Sequence, residues 1–262
     1  MMPWLSRDGF GEAPTMAIVF DSRRIVSGSR MTSGYARQMG LRAVVFDVDF
    51  TIAQPGPDLG PEGYQRLGRQ HGLQLDPDRY DEARRAAFAT LERHPELEHD
   101  EEIWILFTQR IIEGMGGVGD TYACAAEMTH AWEHAHHFDL FDDVPPTLEA
   151  LRARGLKIGL LSNTARDLDL FVEHHGLVVD AVLTSRAHGK TKPHEAIFLR
   201  MLELLDVAAG DAAMVGDTIE DDVEGARAVG MTAVLVDREG RHTDVPGRID
   251  DLRALPVALG LD

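Results

Sequence analysis

Cysteine is nearly missing from this chain: Cys124 stands alone. A single thiol makes no internal disulfide and no cysteine-based zinc site. Cations are also scarce, with 26 lysines and arginines against 44 acids, a formal charge of −18. That balance argues against a nucleic-acid partner or an anionic membrane. It also means that an anionic substrate would need positive charge placed locally. No apolar run approaches the roughly 18 residues of a membrane span, and the N-terminus lacks a signal-type apolar segment. The expectation is a soluble, cytoplasmic protein with no membrane partner. What the chain does have is 262 residues, 44% of them hydrophobic, enough for a large domain or a core with a smaller companion.

From Leu41 onward, short apolar runs recur at 43–46, 157–161, 181–183, 212–215 and 232–236. Between the later runs lie amphipathic segments of helical length, several stopping at a glycine (Gly155, Gly176, Gly230). Strand and helix in alternation predict an α/β fold, a Rossmann-like doubly wound parallel sheet. The beat fails between Gln54 and about Phe138, where the pattern is helical with no clear strand. This predicts a core at 41–53 and 140–262 with a helical cap inserted at 54–139. Residues 1–40 read as an N-terminal extension in which "AIVFDSRRI" (17–25) echoes "AVVFDVDFT" (43–51), with Arg23 in place of Asp49.

"RAVVFDVDFTIA" (42–53) is an apolar strand ending in two acids one residue apart. Strand side chains alternate, so Asp47, Asp49 and Thr51 share a side. Two such charges about 4 Å apart repel by roughly 4 kcal/mol at an effective dielectric near 20. Further polar groups end the later runs: Ser162 and Asn163, then Lys192, then Asp217 and Asp222 in "VGDTIEDD". Parallel strands bring such ends to one edge, where ligands of α/β sheets bind. The collection is several carboxylates, a lysine and a hydroxyl, and its hard oxygen ligands suit Mg²⁺.

"VVFDVDFT", "LLSN", "GKTKP" and "VGDTIEDD", in this order over about residues 41–240, resemble the four motifs of the haloacid dehalogenase superfamily. The insertion between the first two resembles members with the first type of cap. The resemblance implies a phosphatase acting on a small phosphorylated metabolite. In it Asp47 is the nucleophile and Asp49 the general acid and then base. Thr51, Ser162, Asn163 and Lys192 would bind substrate, with Ser162 and Lys192 on the transferred phosphoryl group. Mg²⁺ would be held by Asp47, Asp217 and the backbone carbonyl of Asp49, with Asp222 beside it. One departure stands out: Phe50 occupies a position where the family often has glycine.

A phosphomutase would use the same groups. The metal-independent dehalogenases of the family lack an acid two residues after the nucleophile, so Asp49 speaks against them. A catalytically silent binding protein is the rival from outside enzymology. Other motifs reduce to structure. "GKT" (189–191) lacks the upstream glycine of a P-loop, because that position is Thr184. "GMGGVG" (114–119) follows a helix rather than a strand and reads as a loop between cap helices. "HAWEHAHH" (130–137) reads as a polar helix end, and "ELEHDEE" (96–102) as solvated surface. Ile103, Leu106, Phe107 and Ile111 are expected to form the apolar stripe of the cap.

Overall fold

The structure, a computed structural model, describes residues 40–261, so the echo at 17–25 lies outside the described residues. Strand β1 (Ala43–Phe46) is wholly buried, as its uninterrupted Ala-Val-Val-Phe run requires. After it come β2 (Ala53–Pro55) and four helices: α1 (Pro61–Gln70), α2 (Tyr80–Ala89), α3 (Glu101–Gly114) and α4 (Thr121–Ala131). Asp100 and Asp120 cap α3 and α4 by accepting backbone N–H groups. The chain returns through β3 (Phe138–Leu140) and α5 (Val144–Ala153) into β4 (Lys157–Ser162). Helix α6 (Leu168–His175), β5 (Ala181–Thr184), the short α7 (Ser185–His188) and α8 (Glu195–Leu205) follow. Then β6 (Ala212–Gly216) leads through a π-helical turn, Ile219–Glu224, and α9 (Gly225–Ala228) to β7 (Thr232–Leu235).

The five strands of the main sheet run β5-β4-β1-β6-β7, every pair parallel. One face, with Ala43, Val45 and Met214, packs under Ile197, Phe198 and Met201 of α8. The other, with Val44 and Phe46, joins a cluster that continues through Leu151 and Phe171 into the inserted helices at Ile111 and Met128. The doubly wound α/β expectation holds. Its strand order reverses at β1, so the carboxyl end of β1 opens into the crevice where such sheets bind ligands. Among the described residues, no helix is long and apolar enough to cross a membrane.

Three expectations for the insertion need correction. It does contain strand structure at its junction, because β2 and β3 pair antiparallel, Ala53 opposite Leu140 and Pro55 opposite Phe138. The apolar stripe of α3 is shifted. Leu106 is 41% exposed, while Thr108, Ile111 and Ile112 are buried. "ELEHDEE" is not simply solvated. Leu97 O accepts from Thr191 N at 2.8 Å, His99 N donates to Gly189 O at 3.1 Å, and Lys190 pairs with Glu98 at 3.2 Å. This segment docks onto the loop that precedes Lys192. By contrast, Met115–Asp120 is a connection between α3 and α4, and His130, His134 and His136 are exposed near the end of α4.

Candidate active site

Asp47 follows β1 directly, and its backbone N–H donates to Val215 O at 2.9 Å. Its carboxylate is buried and meets two donors: Lys192 Nζ lies 2.6 Å from Oδ1, and Thr51 Oγ1 donates to Oδ2 at 3.3 Å. The same ammonium donates to Asp222 Oδ1 at 2.6 Å. The other oxygen of Asp222 accepts from Thr218 N (3.0 Å) and Thr218 Oγ1 (2.6 Å). Gly216 lets Asp222 come this close, since a Cβ there would stand 2.2 Å from the Asp222 Cγ. The π-helical turn that carries Asp222 is a rare geometry found often at functional sites.

Asp47, Asp217 and Asp222, all buried, each offer an oxygen within 4.8 Å of the others, the only such set of three metal-type donors among the described residues. Burial drives the Asp47 carboxyl well above its usual range; the Lys192 ammonium opposes this, and Asp222 and Asp217 add to it. Asp217 is pushed up to about 6 by burial and by Asp222, against the pull of Arg241, whose Nη2 lies 2.9 Å from it. Burial works against the charge on Lys192, but Asp222 and Asp47 outweigh it and hold the amine protonated. Lys192 thus serves Asp47 and Asp222, and Asp217 has only the half-exposed Arg241. Hard oxygen donors with an excess of negative charge, drawn close in a low-dielectric setting, fit a divalent cation such as Mg²⁺.

Asp49 sits apart from that trio. Its Oδ1 accepts from Arg166 Nη1 at 2.9 Å, and no side-chain oxygen of it belongs to the acidic cluster. Arg166 is itself buried, stacked 3.6 Å from the Phe138 ring centroid, and donates through Nε to Trp132 O. Phe50 accounts for the family preference for glycine: its φ is +63°, the left-handed region, which costs a side-chain-bearing residue about 1–2 kcal/mol. Its ring lies 6.4 Å from that of Trp132, at the junction with the inserted helices.

The structure brings Asp47, Asp49, Ser162, Asn163, Lys192, Asp217 and Asp222 to one cavity of about 620 Å³. Two expected substrate contacts look different in detail. Thr51 is fully buried and outside the cavity wall, with its hydroxyl turned to Asp47. Asn163 spends both side-chain atoms on Lys192: Oδ1 accepts from Lys192 N at 2.7 Å, and Nδ2 donates to Lys192 O at 3.0 Å. It fixes the backbone from which Lys192 extends. Reading the sequence missed Arg166, Arg241 and Thr218. The available signal was faint: an arginine four positions beyond Ser162 in a chain short of cations.

Comparison with known proteins agrees with this geometry. Residues 41–230 match the family described as "Hydrolase: haloacid dehalogenase-like hydrolase". The chain is 32% identical to haloacid dehalogenase-like hydrolase domain-containing protein 3 of Bos taurus, over 77% of this chain and 84% of that one. It is 30% identical to the ribulose-1,5-bisphosphate 5-phosphatase of Halopiger xanaduensis, over 74% and 84% of the two chains. A solved structure, the HAD phosphatase of Thermococcus onnurineus, superposes with a TM-score of 0.58 at 30% identity, covering 84% of this chain and 98% of that one. With its four motifs gathered at one sheet edge and the match spanning most of its length, the chain belongs to the haloacid dehalogenase-like hydrolase family.

Proposed function

We propose that this hydrolase is a Mg²⁺-dependent phosphatase that cleaves a small phosphomonoester through an aspartyl-phosphate intermediate. The observation that carries the reading is the Lys192 ammonium, 2.6 Å from Asp47 and from Asp222, in the wall of a cavity that Asp49 also lines. The phosphatase names of relatives support it.

In the reaction, Asp47 attacks phosphorus. A bond forms between its carboxylate oxygen and phosphorus as the bond to the ester oxygen breaks. Thr51 orients the attacking carboxylate through its hydrogen bond. Asp49, held by Arg166, gives its proton to the departing alkoxide and then takes one from the water that attacks the phosphoenzyme. Inorganic phosphate leaves and Asp47 is restored. Lys192, kept in place by Asn163, offsets charge on the transferred group, with Ser162 at the same wall. Asp47, Asp217 and Asp222 would hold Mg²⁺, which supplies charge that relieves their mutual repulsion and stabilises the phosphoryl oxygens. The inserted helices, within residues 54–139, act as a cap over the cavity.

Hydrolysis of an aryl phosphate should require Mg²⁺ and be inhibited by Ca²⁺, which prefers looser and higher coordination. Full activity in excess chelator would remove the Mg²⁺ requirement, and release of halide from a 2-haloacid with no hydrolysis of any phosphate ester would favour the metal-independent dehalogenase. Transfer of labelled phosphate to a sugar phosphate rather than to water would make the protein a mutase.

A further inference from the structure

The cavity has two unlike ends. The catalytic end is charged; the end within α1–α4 is walled by Tyr64, Tyr80, Phe88, Trp104, Phe107 and Ile111. The rings pack edge to face, Phe88 on Phe107 at 4.7 Å and Tyr64 on Tyr80 at 5.2 Å, an arrangement that fixes an apolar wall. Polar side chains are fewer at this end: Thr129 Oγ1 donates to Thr108 Oγ1 at 3.1 Å, Glu101 pairs with Arg186 at 2.9 Å, and the buried Nε of Arg84 has no partner.

Each arginine or lysine lining the cavity faces a carboxylate, Arg84 with its Nε left over. Arg84 faces Glu239 at 3.5 Å, Arg241 faces Asp217 at 2.9 Å, and Arg166 faces Asp49 at 2.9 Å. Arg93 pairs with Asp221 and Glu220, and Lys192 belongs to the catalytic end. A second phosphate or a carboxylate on the substrate would have to displace one of these partners. A sugar could lay a C–H face on a ring, but its hydroxyls would find few free partners, because Thr108 and Thr129 already bond each other. The volume of about 620 Å³ falls within the range of small-molecule sites and accommodates a ring system beyond the phosphate.

We infer that the cap end of this cavity recognises an uncharged, ring-bearing apolar group. On the phosphatase reading, on which the substrate assignment rests, that group is the alcohol released from a monophosphate ester. Sugar bisphosphates and phosphorylated amino acids are then poor substrates.

The test compares alkyl esters of similar leaving-group acidity with Mg²⁺ present: naphthylethyl phosphate, ethyl phosphate, ribose phosphate and a pentose bisphosphate. The expected kcat/KM for naphthylethyl phosphate exceeds that for each of the others by on the order of 10- to 100-fold, the factor for burying one large apolar group. Phe107→Ala should narrow the gap and Phe107→Leu should restore part of it. Trp104→Ala, at a partly exposed position, serves if the first variant does not fold. A kcat/KM for either sugar ester equal to or above that for naphthylethyl phosphate overturns the inference. Titration with naphthylethanol, followed by quenching of Trp104 and Trp132, separates the two readings. Binding with no hydrolysis of any ester sinks the phosphatase and keeps the apolar site. Failure to quench, with no preference among esters, sinks the apolar site and leaves the phosphatase standing.

Discussion

Arg166 Nη1 lies 2.9 Å from Asp49 Oδ1, and the same guanidinium donates to the carbonyl of Trp132 just beyond the last cap helix. The proposed acid is therefore positioned by a buried side chain that also touches the insertion. Arg166→Met should lower kcat for alkyl esters more than for aryl esters, whose leaving groups need little protonation. The ratio of the two rates, measured alongside thermal stability, checks this. An equal loss on both would make the role purely structural.

Asp47 and Asp49 should separate cleanly. Asp47→Asn should abolish turnover and any acid-stable phosphoenzyme, because an amide is a poor nucleophile toward phosphorus. Asp49→Asn should slow turnover by about 10²–10⁴-fold. With an activated aryl phosphate it should still form phosphoenzyme, and the intermediate should persist. Rapid-quench trapping with labelled substrate distinguishes the cases; equal loss of phosphoenzyme in both variants would refute the division of labour.

Lys192→Met removes the one cation shared by Asp47 and Asp222. The rate should fall on the order of 10²-fold or more. Lys190→Met should have little effect on kcat, since Lys190 points to Glu96 O and Glu98 instead. Steady-state kinetics of the two variants decides between them.

Gly216→Ala places a methyl where the Asp222 carboxylate now sits. Displacing a packed group of this kind costs about 1–3 kcal/mol. The expected outcome is a lower denaturant midpoint together with weaker Mg²⁺ binding by calorimetry. A variant unchanged in both would show that Asp222 can shift freely.

Asp143 provides a pH signature away from the catalytic cluster. Burial pushes its carboxyl up, but the bidentate Arg238 guanidinium, at 2.9 and 3.0 Å, and the Leu252 N–H outweigh this and hold it below its ordinary value. The unfolded chain thus takes up the proton first as pH falls. The stabilisation is complete above the ordinary carboxylate range, near 4, and drains away as pH drops through the lower folded value. Asp143→Asn should remove that part of the acid dependence. Denaturant midpoints of both proteins across the acid range test it, the other titrating groups cancelling in the difference.

The sheet and the gathering of polar groups at its edge were legible because each depends on short-range pattern. Asp47, Ser162 and Asp217 sit at the ends of apolar runs, and a parallel sheet converts that position into proximity. Lys192 is also found this way, from its place in the loop that follows β5 and the short α7. What pattern cannot reveal is how polar groups pair off afterwards. Asn163 and Lys192 are 29 positions apart, and Asp49 and Arg166 are 117 apart, so neither partnership leaves a local trace. The strands β2 and β3, three residues each, are too short to display alternation. Helix α3 misled for the opposite reason: its apolar residues spread around more than one face, and the sequence alone does not say which turns toward the cavity.

The pairing of β2 with β3 has a consequence for how this protein can diversify. The chain leaves the sheet and returns to it through neighbouring strands, so residues 56–137 are tied at the two ends of one small ribbon. In terms of connectivity they behave as a single long loop, and loop-closure entropy rises by only about 0.6 kcal/mol for each doubling of length. Helices can therefore be gained, lost or exchanged between Pro55 and Phe138 with little penalty from chain closure, provided the replacement covers the same apolar floor. The ribbon makes the inserted helices exchangeable while the five-stranded sheet keeps its register.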